Sequence, residues 1–168
     1  MARVPFETLP DHGRLWVFPA SRSLSGSERE QLLNEVDAFL ETWAAHGRPL
    51  KASRELRDDR FLVVGVDVDA ASPSGCSIDA LVNGLEELAE RFGITLTDHA
   101  PVRYRDDGEI RQVSRPEFRS LAKNGRIGPD VRVFDTTLTT IAQLRQGGLE
   151  GRAADTWHGR AFFSAQLQ

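Results

Sequence analysis

The sequence predicts an α+β chain, and three observations carry that expectation. Apolar runs such as "GRLWVFPA" and "FLVVGVDV" alternate with longer stretches whose apolar residues recur at helical spacing. Two of the helical stretches open on a serine followed three residues later by a glutamate, the pattern that caps a helix N-terminus. Hydrophobic residues make up 40% of the 168 and charged residues 27%, enough for one packed domain with at most a small appendage.

The elements follow in order. Residues 13–20 read as a strand closed by Pro19. "LSGSEREQLLNEVDAFLETWAAHG" reads as a helix, with Ser25 and Glu28 as reciprocal caps. Leu32, Leu33, Val36, Phe39, Leu40 and Trp43 give it one apolar stripe, and Gly47 offers a left-handed stop. "LKASRELR" (50–57) alternates incompletely and suits an edge strand. "FLVVGVDV" (61–68) is almost continuously apolar and valine-rich, as a strand buried on both faces must be. A second helix carries Ile78, Leu81, Val82, Leu85, Leu88 and Phe92 on one stripe and ends at Gly93. "ITLTDHAPV" (94–102) reads as a fourth strand. Strand, helix, strand, strand, helix, strand is the split βαβ order of ferredoxin-like folds. The expected core is therefore a ferredoxin-like βαββαβ unit over residues 13–102, with the first and third strands in the middle.

Residues 103–168 differ in texture and predict a small C-terminal α/β appendage packed on the core. A hairpin turns at Asp106-Asp107-Gly108. Ser114 and Glu117 open a short helix ending near Gly125, residues 131–135 form a strand, and "TTLTTIAQLRQGG" is a last helix. The tail "DTWHGRAFF" is aromatic enough to pack back on the fold.

Charge divides along the same line. Residues 1–100 hold ten Lys and Arg against seventeen Asp and Glu, whereas residues 101–168 hold eleven against eight. That second excess is small beside the basic face of a nucleic-acid-binding domain, so no nucleic-acid partner is expected. No apolar run reaches the ~18–20 residues of a membrane span, and the first residues lack a secretory signal's apolar segment. One cysteine makes no internal disulfide, which suits a reducing cytoplasm.

That cysteine marks the candidate site. In a split βαβ fold, the loop before the second helix, the end of the fourth strand and the end of the first helix meet at one edge of the sheet. Cys76, His46, His99, Asp67, Asp69 and Asp98 are then expected along one rim. A thiol at a helix N-terminus feels the positive end of the helix dipole, and a nearby imidazole adds a base. Cys76 with His99 or His46 as base, and Asp98 or Asp67 as orienting carboxylate, is the catalytic set this predicts. The structural alternative stands beside it. Four strands span about 14 Å at ~4.8 Å spacing, so a shared rim is not contact, and "SGCSID" also serves as a plain helix cap.

Other chemistries lack their residues. His12, His46, His99 and His158 have no metal-ligand spacing. No G-x-S-x-G elbow occurs. No phosphate loop of the G-x-x-x-x-G-K-[ST] form occurs either, so neither a metal nor a nucleotide cofactor is expected. "LSGSE" (24–28) is superficially similar to the LSGGQ signature of ABC ATPases but serves here as a helix cap.

"LWVFPASRSLSGSE", "FLETWAAHGRPLKASRELRDDRFLVVGVD", "SGCSID" and "DTWHGRAF" together resemble a family of small bacterial proteins, common in Bacteroidota and relatives, often labelled "ABC transporter ATPase". The label implies ATP hydrolysis, and the missing phosphate loop argues against it. Residues 104–135, "YRDDGEIRQVSRPEFRSLAKNGRIGPDVRVFD", resemble bacterial GYF-related modules, in which a hairpin, a short helix and G-x-I-x-x-D-x-x-V recur in that order. GYF domains bind proline-rich peptides through an aromatic surface, so this resemblance implies a protein or peptide partner. The sequence departs from that pattern where "RQV" replaces the usual Gly-Pro before the helix. The expected function is a non-enzymatic binding or regulatory protein. The alternatives are a thiol-dependent enzyme or redox sensor at Cys76, and the ATPase of the family label.

Overall fold

The computed structural model describes residues 3–166, which form an α+β chain. In chain order the elements are β1 (Arg14–Pro19), α1 (Gly26–Glu41), β2 (Ala44–Ala45), β3 (Arg48–Pro49), β4 (Lys51–Arg57), β5 (Phe61–Asp67) and α2 (Gly75–Phe92). There follow β6 (Val102–Asp106), β7 (Glu109–Val113), α3 (Arg115–Lys123), β8 (Arg132–Phe134), α4 (Ile141–Arg145), β9 (Glu150–Arg152) and α5 (Trp157–Phe162). The chain divides into two compact units. Unit 1 runs to Asp98 and also includes Thr137–Gln146; unit 2 is His99–Thr136 with the chain from Gly147 onward.

Unit 1 is built on an antiparallel sheet of order β1-β5-β4. Its register sets Trp16 and Arg54 on either side of Val64. Side chains alternate along a strand, so Leu62, Val64 and Val66 of β5 meet Leu32, Val36 and Leu40 of α1 and Leu81, Leu85 and Leu88 of α2 in one apolar core. The other face is also buried through Leu15, Val17, Phe61 and Val63. There Leu9 and Ile141 approach so closely that a Cβ on Gly65 would stand 3.0 Å from each. Arg54 clamps α1 to β4 with two hydrogen bonds to Asp37, at 2.8 and 2.7 Å.

Both long helices begin as the sequence predicts. Ser25 and Glu28 form the full capping box, and Ser74 with Ser77 form another. Gly93 ends α2 in the left-handed conformation at φ 68°.

Three expectations for the core and its border need correction. The first helix stops at Glu41, not near Gly47; residues 44–49 form a tight hairpin whose turn puts His46 at φ 53° and Gly47 at φ 76°. Residues 94–101 form no strand. Ile94 and Leu96 do sink into the core, which explains the strand-like alternation. Their backbone is tied to the loop after β1, however, through Ser21 N–H to the Thr95 carbonyl and Thr95 N–H to Ser21 Oγ. The outer edge of β1 is met by the returning chain: Leu15 N–H donates to the Thr139 carbonyl and Ile141 N–H to the Gly13 carbonyl. Third, the last predicted helix shrinks to five residues, α4, and belongs with unit 1.

Unit 2 holds a sheet of order β7-β6-β8-β9, antiparallel throughout. The β6–β7 hairpin turns where the sequence predicts, with Asp107 at φ 53° and Gly108 at φ 83°, the two positive φ values of a type I′ turn. Ser114 Oγ accepts the Glu117 N–H and caps α3. Its core is aromatic. Fully buried Phe118 sits 5.5 Å from Tyr104, 4.9 Å from Phe162 and 6.0 Å from Phe163, ring to ring.

Candidate functional site

Within unit 1 the structure brings two of the predicted residues together. Ser74 caps α2, so Cys76 lies in its first turn, exposed to solvent. The β2–β3 turn delivers His46 to the same place. Cys76 and His46 line one open depression of about 360 Å³, walled by Phe39, Trp43 and Ala80. The depression is held by a buried contact: Trp43 Nε1–H donates to the Ser77 carbonyl at 2.8 Å, fixing the first turn of α2 to the end of α1. Trp43 is in turn packed edge-on against Trp16 at 6.0 Å.

Asp67, Asp69 and Asp98 of unit 1 do not line that depression. Asp67 ends β5 and accepts the Asp69 N–H at 2.9 Å, a side-chain turn that starts the loop to α2. Asp69 pairs with His12, Oδ2 to Nε2 at 2.6 Å, both largely exposed. Asp98 is the last residue of the first segment of unit 1. His99 belongs to unit 2, where Nδ1 lies 3.0 Å from Thr136 Oγ1. Among the described residues no group of three or more His, Cys, Asp or Glu is placed to hold a metal ion. No described helix is long and apolar enough to cross a membrane.

Unit 2 carries a second concentration of chemistry, where α3 meets α5. Trp157 stacks on His158 at 3.8 Å. Arg115 of α3 lies over the Trp157 ring at 5.1 Å, and Arg119, one turn on, lies over Phe162 at 5.2 Å. Both arginines are exposed, and both rings are half-buried. His158 is 1% exposed, and its Nδ1 is 2.8 Å from Thr156 Oγ1. Burial pushes its pKa down to about 4, partly offset by Asp135. It is a neutral core histidine. The i, i+4 spacing of Arg115 and Arg119 and the "WH…FF" of the tail were visible in the sequence; their pairing was not, because it depends on the tail folding back beside α3.

No protein-family model matches the chain, and no curated protein or solved structure matches it either.

Proposed function

We propose that the protein is a non-enzymatic binding protein that takes an extended peptide segment of a partner on the α3/α5 face of unit 2. One observation supports this most: two half-buried aromatic rings, Trp157 and Phe162, each flanked by an exposed arginine. Trp and Arg dominate the hot spots of protein interfaces because they bury large area and keep a polar handle. Proline rings stack on such faces, and the arginines favour carboxylates, so the matching segment is rich in proline and acidic residues. The GYF-like hairpin and helix of residues 104–135 agree with that ligand class.

The test is a fluorescence-anisotropy titration with a labelled peptide of repeated Pro-Pro-Glu units. Binding is expected for the native protein and a loss of tenfold or more for Arg115→Glu with Arg119→Glu, both exposed positions. Equal binding by the double variant, or none by the native protein, contradicts the reading.

A second reading is favoured by the shared depression of Cys76 and His46: thiol chemistry or redox sensing at the start of α2. Alkylation by iodoacetamide against pH tests it. A reactive thiolate inflects well below the ordinary ~8.5, and an ordinary thiol does not. A regulatory role fits either surface. We read unit 1, with its sheet order β1-β5-β4, as a variant of the ferredoxin-like fold in which the returning chain near Thr139 takes the place of the fourth strand.

A further inference from the structure

Unit 1 has a furrow that its own packing does not explain. Between α1 and α2 lies a cavity of about 160 Å³, floored by Val36, Phe39, Leu81, Leu85 and Leu88. Phe39 also borders the Cys76 depression, so the two hollows adjoin along one side of α2. From Cys76 to Arg91 that side runs about 22 Å at a rise of 1.5 Å per residue, the length of a four-turn helix.

Two independent features say what would lie in it. The first is Gly84, in the middle of the 18-residue helix α2 and on the furrow wall. A mid-helix glycine costs about 1 kcal/mol relative to alanine. No packing within the chain demands it, since a Cβ there would meet nothing within 4 Å. Glycine in such a place permits close backbone approach by something else. The second is charge. α1 and α2 together carry nine Asp and Glu against two Lys and Arg. Four of the nine acids are ion-paired, Glu28 with Arg22, Glu35 with Arg91, Asp37 with Arg54 and Glu41 with Arg3, and Arg29 is paired with Asp59, so the acidic excess rests on the other five. Glu87 stands on the rim, and Glu30, Asp79, Glu86 and Glu90 are exposed along the same helices.

From these we infer that the α1/α2 furrow docks a basic amphipathic helix of a partner protein, with bulky apolar residues at i, i+3, i+4 and i+7 over Gly84 and Lys or Arg along its flanks. This is helix-in-groove recognition. It is separate from the α3/α5 surface, and charge makes the two occupants opposite in kind.

The probe is a labelled helical peptide of Leu and Lys in that spacing, with a Leu/Glu peptide of the same pattern as control. The native protein is expected to bind the Lys peptide and not the Glu peptide. Gly84→Leu fills the furrow without changing charge, and should weaken binding at least tenfold while the melting temperature stays level or rises. Glu87→Lys with Glu90→Lys should weaken it and flatten its salt dependence. Position is read from the single cysteine: saturating Lys peptide should slow Cys76 alkylation several-fold in the native protein and not in Gly84→Leu. Equal binding of both peptides, a folded Gly84→Leu protein with undiminished affinity, or unprotected Cys76 would overturn the inference.

Discussion

The two units solve the same packing problem with different material. Unit 1 buries aliphatic side chains from β5 and two long helices, and arranges its charge as an acidic outer layer. Unit 2 has short elements and closes around Phe118, with arginines laid over aromatic rings. Unit 1 is left with a furrow between its two helices, and unit 2 with two half-buried ring faces; these are the two surfaces proposed for recognition.

The contrast can be broken at several points. The largest effect should come from Phe118→Ala, which removes the ring that Tyr104, Phe162 and Phe163 all contact. Loss of a buried Phe costs ~3–5 kcal/mol. Denaturant titration should show unit 2 unfolding first, seen as loss of the Trp157 and Tyr104 part of the near-ultraviolet signal while the Trp16–Trp43 part and the helical signal of α1 and α2 persist. Simultaneous loss of both signals would mean that the units do not differ in the way described.

Next comes pH. Burial holds the pKa of His158 at about 4 in the fold, whereas it titrates near 6.5 when unfolded. The unfolded chain therefore binds the extra proton first, and stability is full above 6.5 and falls as pH drops towards 4. The loss is roughly 3 kcal/mol at most, at 1.36 kcal/mol per pH unit. His158→Gln should flatten the profile in that window. Unit 1 should respond lower. Arg22 and the Ser25 N–H hold the Glu28 carboxylate at about 2, so its contribution is present above 4.5 and is lost between 4.5 and 2. Chemical denaturation at a series of pH values separates the two windows; one merged transition insensitive to His158→Gln would contradict the assignment.

The smallest effect is a gain. Gly84→Ala should raise stability by about 0.5–1 kcal/mol, because the helix favours alanine and the site is open. A loss in thermal melting would show that α2 needs the glycine for its own packing.

How much of this was legible in the sequence follows from what kind of signal each part used. The capped, periodic helices α1 and α2 and the apolar strand β5 were readable because local propensity and burial agree there. The Asp107-Gly108 hairpin was readable from turn chemistry. The end of α1 is not legible because Trp43 continues the helical stripe, although it reaches the core from beyond the helix. "His-Gly" between short apolar and polar flanks was the available turn signal. The false strand at 94–101 shows the opposite failure: Ile94 and Leu96 alternate into a core without any strand partner. At the candidate site, chain direction predicts one rim for six residues; Cys76 and His46 do line one depression, though the sequence reading carries His46 there on a helix that in fact stops at Glu41. The furrow at Gly84 and the Arg115–Trp157 contact were not readable, since both need the distance between elements far apart in the chain.

Amide-resolved NMR titration of the whole protein with the Leu/Lys helix and then with the Pro-Pro-Glu peptide tests the division of labour most directly. The expected result is two disjoint sets of shifted amides, the first confined to residues around Phe39 and Gly84, the second to those around Arg115 and Trp157. Overlapping sets, or shifts scattered over both units with either peptide, would contradict it.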